Sequence, residues 1–189
     1  ISKIGFALLS REFAHTRRKN LLLRDLDELV NQQLAKMLFA NPQRIDYYDR
    51  YQEIIDAYNA EQNRATIEKT FMDLMELASS LDTEQQRYVR EGFSSDEELS
   101  VYDLLFSENL TKQEIETIKK VSVDLLTKIK QQIAKLDHWT DKQETKAIVD
   151  NLIRNTLWQE LPNSYDVSDI QTYQKKIYEY VYMRYPEVA

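Results

Sequence analysis

The sequence predicts an all-α protein: a bundle of eight or nine helices with one long central helix and short connections. Three observations carry that expectation. Gly5 and Gly92 are the only glycines among 189 residues, and Pro42, Pro162 and Pro186 the only prolines. Phosphate-cradling loops, strained nucleophile turns and tight hairpins draw on glycine for positive φ or close backbone approach, so a chain this poor in it is built of helix joined by short turns. Apolar residues recur at three- and four-residue spacing along most of the chain, the period of a helix with one buried stripe. Finally, Ser or Thr followed three residues on by Glu or Gln occurs at Thr83/Gln86, Ser95/Glu98, Thr111/Glu114, Thr140/Gln143 and Ser168/Gln171. In that capping box each side chain satisfies a backbone N–H that the first helical turn leaves unpaired.

Taken in order, Leu22, Leu26, Leu29, Leu34, Met37 and Leu38 mark a helix that stops at Asn41-Pro42, because proline disfavours helical geometry in the residue before it. Tyr48, Tyr51, Ile55 and Tyr58 stripe the next. Residues 59–65 are polar and read as a linker, which divides the chain into an N-terminal helical segment, 1–62, and a C-terminal helical domain, 63–189. Ile67, Phe71, Leu74, Ala78 and Leu81 form another buried face. A short helix from residue 84 ends at Gly92, a natural left-handed cap. Leu99, Tyr102, Leu105 and Phe106 continue the pattern. The longest element is expected over residues 112–136, with Ile115, Ile118, Leu125, Ile129, Ile133 and Leu136 in line; at ~1.5 Å per residue it spans roughly 37 Å. Ile148, Leu152, Thr156 and Leu157 line its expected antiparallel neighbour, which stops before Pro162. The last helix, 169–185, turns Ile170, Tyr173, Ile177, Tyr180 and Val181 inward.

Composition narrows the function classes. Without cysteine there are no disulfides and no thiolate metal sites, which suits a reducing cytoplasm. His15 and His138 are the only histidines, so a multi-histidine metal centre is excluded. No apolar run approaches the ~20 residues of a membrane span. The sequence opens at Ile1 rather than Met and no signal peptide precedes it, which reads as a piece of something longer. The net charge of −7 is unevenly spread. In the first 24 residues Lys3, Arg11, Arg17, Arg18, Lys19 and Arg24 face only Glu12, whereas Asp96, Glu97, Glu98, Asp103 and Glu108 crowd the end of an acidic stretch. Such polarity suits docking onto a charged partner, and it equally describes solvated helix faces.

Five motifs bear on function. Arg17-Arg18-Lys19 with Arg24 could displace counterions from phosphates, although a pI near 5.0 argues against a dedicated nucleic-acid binder. Glu144-Thr145-Lys146 has the E-x-K spacing of magnesium-dependent nucleases. Such a site needs an upstream aspartate presented on strands, and here the triplet lies within a predicted helix. Arg11 and His15 share one helix face in an R-x-x-x-H arrangement, shorter than in helical ribonucleases and interrupted by Phe13 and Ala14. His138-Trp139 reads as a packed helix junction. Tyr178, Tyr182 and Tyr185 are a better lead, because they leave the Ile177 and Val181 stripe, and tyrosine combines contact area with a polar tip at interfaces.

Residues 84–105, EQQRYVREGFSSDEELSVYDLL, resemble the C-terminal region of type I restriction enzyme R subunits, which reads E-Q-R-x-x-R-E-G and then E-E-L-x-x-Y-D-L-L. Asn41-Pro42-Gln43-Arg44 and Tyr58-Asn59 resemble the upstream N-P-x-R and Y-N of that family. Leu110-Thr111, Ile118-Lys119-Lys120-Val121 and Leu125-Leu126 resemble its L-T, I-K-K-V and L-L. Leu161-Pro162 with Tyr165, Tyr173 with Lys176, and Val181-Tyr182 with Tyr185 resemble its ending. The likeness runs from about Leu22 onward. It departs at His138, which separates Asp137 from Trp139 where the family has Asp-Trp, while Lys142 keeps its offset from the tryptophan.

The resemblance implies the following. The R subunit is a large motor with a nuclease, two helicase lobes and then helical domains, acting with methyltransferase and specificity subunits, and it requires ATP and Mg2+. Residues 1–62 would lead from that motor, and 63–189 would be an assembly domain docking on the methyltransferase subunit, in the cytoplasm. No helicase or nuclease residue carries over, so this chain is expected to have no catalytic, cofactor or metal residue of its own. Its expected partner contacts are Asp96, Glu97, Glu98, Tyr178, Tyr182 and Tyr185. Arg17, Arg18, Lys19 and Arg24 are the candidates for touching DNA.

Overall fold

The computed structural model describes residues 3–61 and 63–186, and these form nine α-helices and one 3-10 turn with no strand among them. The chain divides into two compact units between Arg90 and Glu91. The first contains α1 (Lys3–His15), α2 (Lys19–Ala40), the 3-10 turn (Pro42–Arg44), α3 (Ile45–Ala60), α4 (Arg64–Gln85) and α5 (Arg87–Arg90). Leu23, Leu26, Val30, Leu34 and Met37 of α2 face Phe71, Leu74, Leu77, Ala78 and Leu81 of α4 in one core, which Tyr51 of α3 joins, its hydroxyl donating to Asp27 Oδ1 of α2 at 2.7 Å. Each such leucine contributes roughly 1.5–3 kcal/mol when its side chain leaves water. Phe13 of α1 lies flat on Phe71, ring centroids 3.6 Å apart.

The turn between α2 and α3 has a specific task. Asn41 leaves the helix in extended conformation and its side chain accepts from Gln43 N at 3.1 Å, while Pro42 sits at the start of the turn, where no N–H is needed. The chain is thereby bent so that Arg44 points inward, 3% exposed, and its Nε donates to Glu84 Oε1 at 3.0 Å. Arg87 Nε lies 3.3 Å from the same oxygen. A buried carboxylate is tolerable only with such partners.

The second unit contains α6 (Asp96–Leu105), α7 (Lys112–Ile133), α8 (Gln143–Glu160) and α9 (Val167–Arg184). Leu99, Leu105, Ile118, Leu125, Ile129, Val149, Ile153, Leu157, Ile177 and Val181 are buried in its core. Gly92 opens the unit at φ +85, the left-handed conformation expected of it. Beside it, Lys119 Nζ donates to the Glu91 carbonyl at 3.0 Å. The connection between α8 and α9 carries Tyr165, whose hydroxyl donates to the Leu105 carbonyl at 2.7 Å, satisfying an acceptor that the end of α6 leaves unpaired. Burial drives this phenol well above its ordinary pKa.

Several expectations need correction. Only Thr111/Glu114 forms the complete Ser/Thr capping box; Ser95 caps Glu98 N, but Glu98 returns to Ser94 N. Thr83 lies inside α4 with its hydroxyl bonded to the Ser79 carbonyl, because Leu81 and Glu84 keep the helix face buried past it. Lys142 precedes α8, not Thr140, and Asp166 with Asp169 makes the box at α9, two residues before Ser168. Carboxylates cap as well as hydroxyls do, and the search pattern omitted them. The central helix α7 stops at Ile133 and is no longer than α2 or α4, all three having 22 residues. Nor does α8 run back along α7 in simple antiparallel register: Lys128, near the end of α7, bonds Glu160 at the end of α8 at 2.6 Å, so the C-terminal ends of the two helices meet. The antiparallel partner of α8 is α9, joined by Gln174 Nε2 to Asp150 Oδ1 at 2.8 Å. Finally, α4 packs with α2 and α3, so the first compact unit extends beyond the polar stretch 59–65 at which the sequence reading divided the chain.

Candidate functional site

The tyrosines of α9 surround one buried indole. Trp139, 1% exposed, meets the rings of Tyr178 and Tyr182 edge-on at 6.2 and 5.8 Å, and its Nε1 donates to the Tyr185 carbonyl at 2.6 Å. Tyr185 faces inward. Lys130 lies over its ring at 5.3 Å, and burial, ahead of Tyr180 and Glu97, pushes its phenol far above the ordinary value. Tyr178 is half-buried, and its phenol is raised first by burial and then by Asp150. Tyr182 is exposed, with Lys146 Nζ 5.8 Å from its ring centre, and Met183 beside it is 67% exposed. This edge therefore has a rigid interior and an apolar outer row.

His138 adopts φ +45, a left-handed turn that delivers Trp139 to α9. Thr145 Oγ1 closes the turn by donating to the Trp139 carbonyl at 2.7 Å. Trp139, Lys146 and Met183 were not singled out as partner residues from sequence. Trp139 had been read as a packed corner, and nothing in the order of residues brings Lys146 or residue 139 to Tyr182.

The acidic trio occupies the first turn of α6, where negative charge complements the helix dipole. All three are half-buried. Glu97 receives the Lys130 ammonium, with Arg184 at 3.9 Å, and Glu98 Oε2 accepts from Ser94 N at 2.8 Å. Glu97 and Glu98 are thus held by partners within the unit, and all three carboxylates keep part of their surface exposed.

The basic residues gather at the start of α2. Arg17, Arg18 and Lys19 line an open cavity of about 570 Å3 together with Thr16, Asn20 and Arg64, the last brought from the start of α4. Sequence reading missed Arg64 because it lies far along the chain. Lys19 and Arg64 share Glu68, at 2.5 and 3.2 Å, and these bonds, Lys19 first, hold its carboxyl below the ordinary range. Arg17 and Arg18 are exposed, while Arg24 borders a neighbouring cleft rather than this cavity.

The remaining motifs stay apart. Glu144 is exposed in the first turn of α8 while Lys146 lies against Tyr182; Arg11 and His15 are exposed on α1. Among the described residues no group of three or more His, Asp or Glu is placed to hold a metal. No helix among them is long and apolar enough to cross a membrane.

Nine helices in two compact units, each closed by side-chain ties between distant segments, define an all-α domain. Residues 2–185 match the family described as the C-terminal domain of type I restriction enzyme HindI endonuclease subunit-like proteins, and the chain belongs to that family. No curated protein and no solved structure matches the chain. The structure also explains several strings that carried the resemblance. Arg44 of N-P-x-R meets Glu84, the first residue of the stretch 84–105, Y-D-L-L meets L-P-x-x-Y through Leu105 and Tyr165, and R-E-G meets I-K-K-V through Glu91 and Lys119.

Proposed function

We propose that the chain is an assembly domain, docking the R subunit of a type I restriction enzyme onto its methyltransferase subunit. ATP, Mg2+ and the cleavage chemistry belong, on this reading, to the motor and nuclease parts of the parent protein, which works in the cytoplasm. Family membership supports the setting, and one observation carries the choice of surface: Tyr182 and Met183 stand exposed on a wall stiffened by Trp139 and Tyr178. An aromatic ring on a pre-ordered support loses little entropy on binding, and aromatic and methionine side chains are enriched in interface cores. Tyr185 and Glu97 act through that support by fixing the end of α9, and Asp96 and Glu98 shape the start of α6. Titration of the chain against the methyltransferase core tests this. Tyr182→Ala with Met183→Ser is expected to weaken binding by tenfold or more at unchanged helix content, and unchanged affinity would contradict it. Charge reversal at Asp96 and Glu98 is expected to have the smaller effect.

A second reading is favoured by the cavity at α2: this end of the chain contacts DNA phosphates through Arg17, Arg18, Lys19 and Arg64, with Arg24 nearby. Steeply salt-dependent binding that is lost in Arg17→Ala/Arg18→Ala would support it.

A further inference from the structure

The cationic cavity continues past its charges. Asn20 borders both that cavity and a narrower cleft of about 270 Å3 between α2, α3 and α4, so the two concavities adjoin across one residue. The floor of the cleft is apolar, formed by Leu23 and Leu74, both buried. Its walls carry the half-buried ring of Tyr58 and the exposed guanidinium of Arg24, with Asp27, Asn59 and Thr70 as hydrogen-bonding groups.

The two compartments sort ligand chemistry by charge. The first presents four cations, of which Lys19 and Arg64 are tied to Glu68 while Arg17 and Arg18 are exposed, and is suited to an anion. The second places the Asp27 carboxylate at an apolar floor, which repels a further phosphate and suits a neutral planar group with donors on its edge. Unpaired bases are held in this way, stacked on aromatic rings or guanidinium planes and hydrogen-bonded along an edge. The cleft lies just under the roughly 300–1,000 Å3 of typical small-molecule sites, a size for one ring system rather than a duplex.

We infer that the first unit binds an unpaired nucleotide of a DNA strand, its phosphate in the cavity of Arg17, Arg18, Lys19 and Arg64 and its base in the cleft beside Tyr58 and Arg24. This rests on the reading that this end of the chain meets DNA, and it adds what kind of DNA. A duplex keeps its bases stacked inside and offers phosphates alone, so it engages only the first compartment. A single strand fills both.

Fluorescence anisotropy of the whole chain tests this with labelled oligo-dT, a duplex of equal length, an abasic strand of equal length and free dTMP, each at two salt concentrations. Oligo-dT is expected to bind on the order of tenfold more tightly than the abasic strand or the duplex. Tyr58→Ala removes that margin and Tyr58→Phe retains it. Arg24→Gln, at an exposed position, also lowers the margin and serves where Tyr58→Ala disturbs folding. Arg17→Ala/Arg18→Ala weakens every polymer and lowers the salt slope for the single strand by about 1.4. Equal affinity for strand, duplex and abasic polymer would overturn the base-in-cleft inference and leave DNA contact standing. Absence of binding to all of them at low salt would overturn both, and dTMP binding as tightly as oligo-dT would overturn a strand as the occupant.

Discussion

The two units close their cores with different chemistry. In the first, one end of the core is held by a charge pair, Arg44 with Glu84, taken almost wholly out of water. In the second the ties are aromatic: the Tyr165 hydroxyl on the end of α6, and the Trp139 indole on the end of α9. A buried ion pair contributes little net stability, because desolvation offsets attraction, yet losing one partner strands the other charge. A phenol or indole buries apolar area as well and needs only one acceptor, which a helix end supplies. The difference teaches that the first unit fails sharply when one residue changes, whereas the second is tied at several points that fail by degrees.

The largest expected effect is therefore Glu84→Ala or Arg44→Ala, each costing about 3–5 kcal/mol in denaturant unfolding, with hydrogen exchange rising first within residues 3–90. Arg44→Met combined with Glu84→Leu is expected to recover most of that loss, since the stranded charge is gone. Trp139→Ala comes close behind at about 3–4 kcal/mol, with its exchange signature confined to residues 91–186. An opening of the first unit in that variant would break the comparison. Tyr165→Phe keeps the ring and loses the hydrogen bond, a change of about 1 kcal/mol. His138→Gly relieves the left-handed turn and is expected to raise stability by a similar amount, readable in the melting temperature.

Alkaline pH separates the units by another route. Phenols at Tyr165, Tyr173, Tyr178, Tyr180 and Tyr185 are raised in the second unit, chiefly by burial, against Tyr47 and Tyr51 in the first. A folded-state pKa above the unfolded one leaves stability intact below about pH 10 and removes it as pH rises further, because the unfolded chain sheds protons that the folded one keeps. The second unit is expected to open first above that pH, as read by exchange or by the emission of Trp139. Simultaneous loss of both units would contradict the assignment of the ties.

Much of the fold was legible because helices announce themselves locally. The stripe at Ile118–Ile133 follows from spacing; on α2 spacing picks out Leu26, Leu34 and Met37, while Leu23 and Val30 are buried where it points to Leu22 and Leu29, and Pro42 and Gly92 punctuate where proline and glycine chemistry requires. What the sequence hid was relation in space. Asp166 caps α9 with a carboxylate where the Ser/Thr motif points to Ser168, and the meeting of the C-terminal ends of α7 and α8 leaves no local mark. Arg64 reaches the basic cavity, and Trp139 reaches α9, across separations that no motif records. Lys130 and Arg184, which answer Glu97, are likewise distant from it in the chain. The family strings could be recognised without being understood, since their partners are other strings in the same set.

Those strings tie the domain together internally, and on the proposed function the outer row of α9 meets the larger assembly. Hydrogen exchange of the chain with and without the methyltransferase core tests this most directly. Added protection is expected over residues 178–183, with the segments around Glu84 and Leu105 unchanged. Protection that spares the end of α9 and falls instead on the segments around Arg44, Glu84 or Leu105 would contradict it.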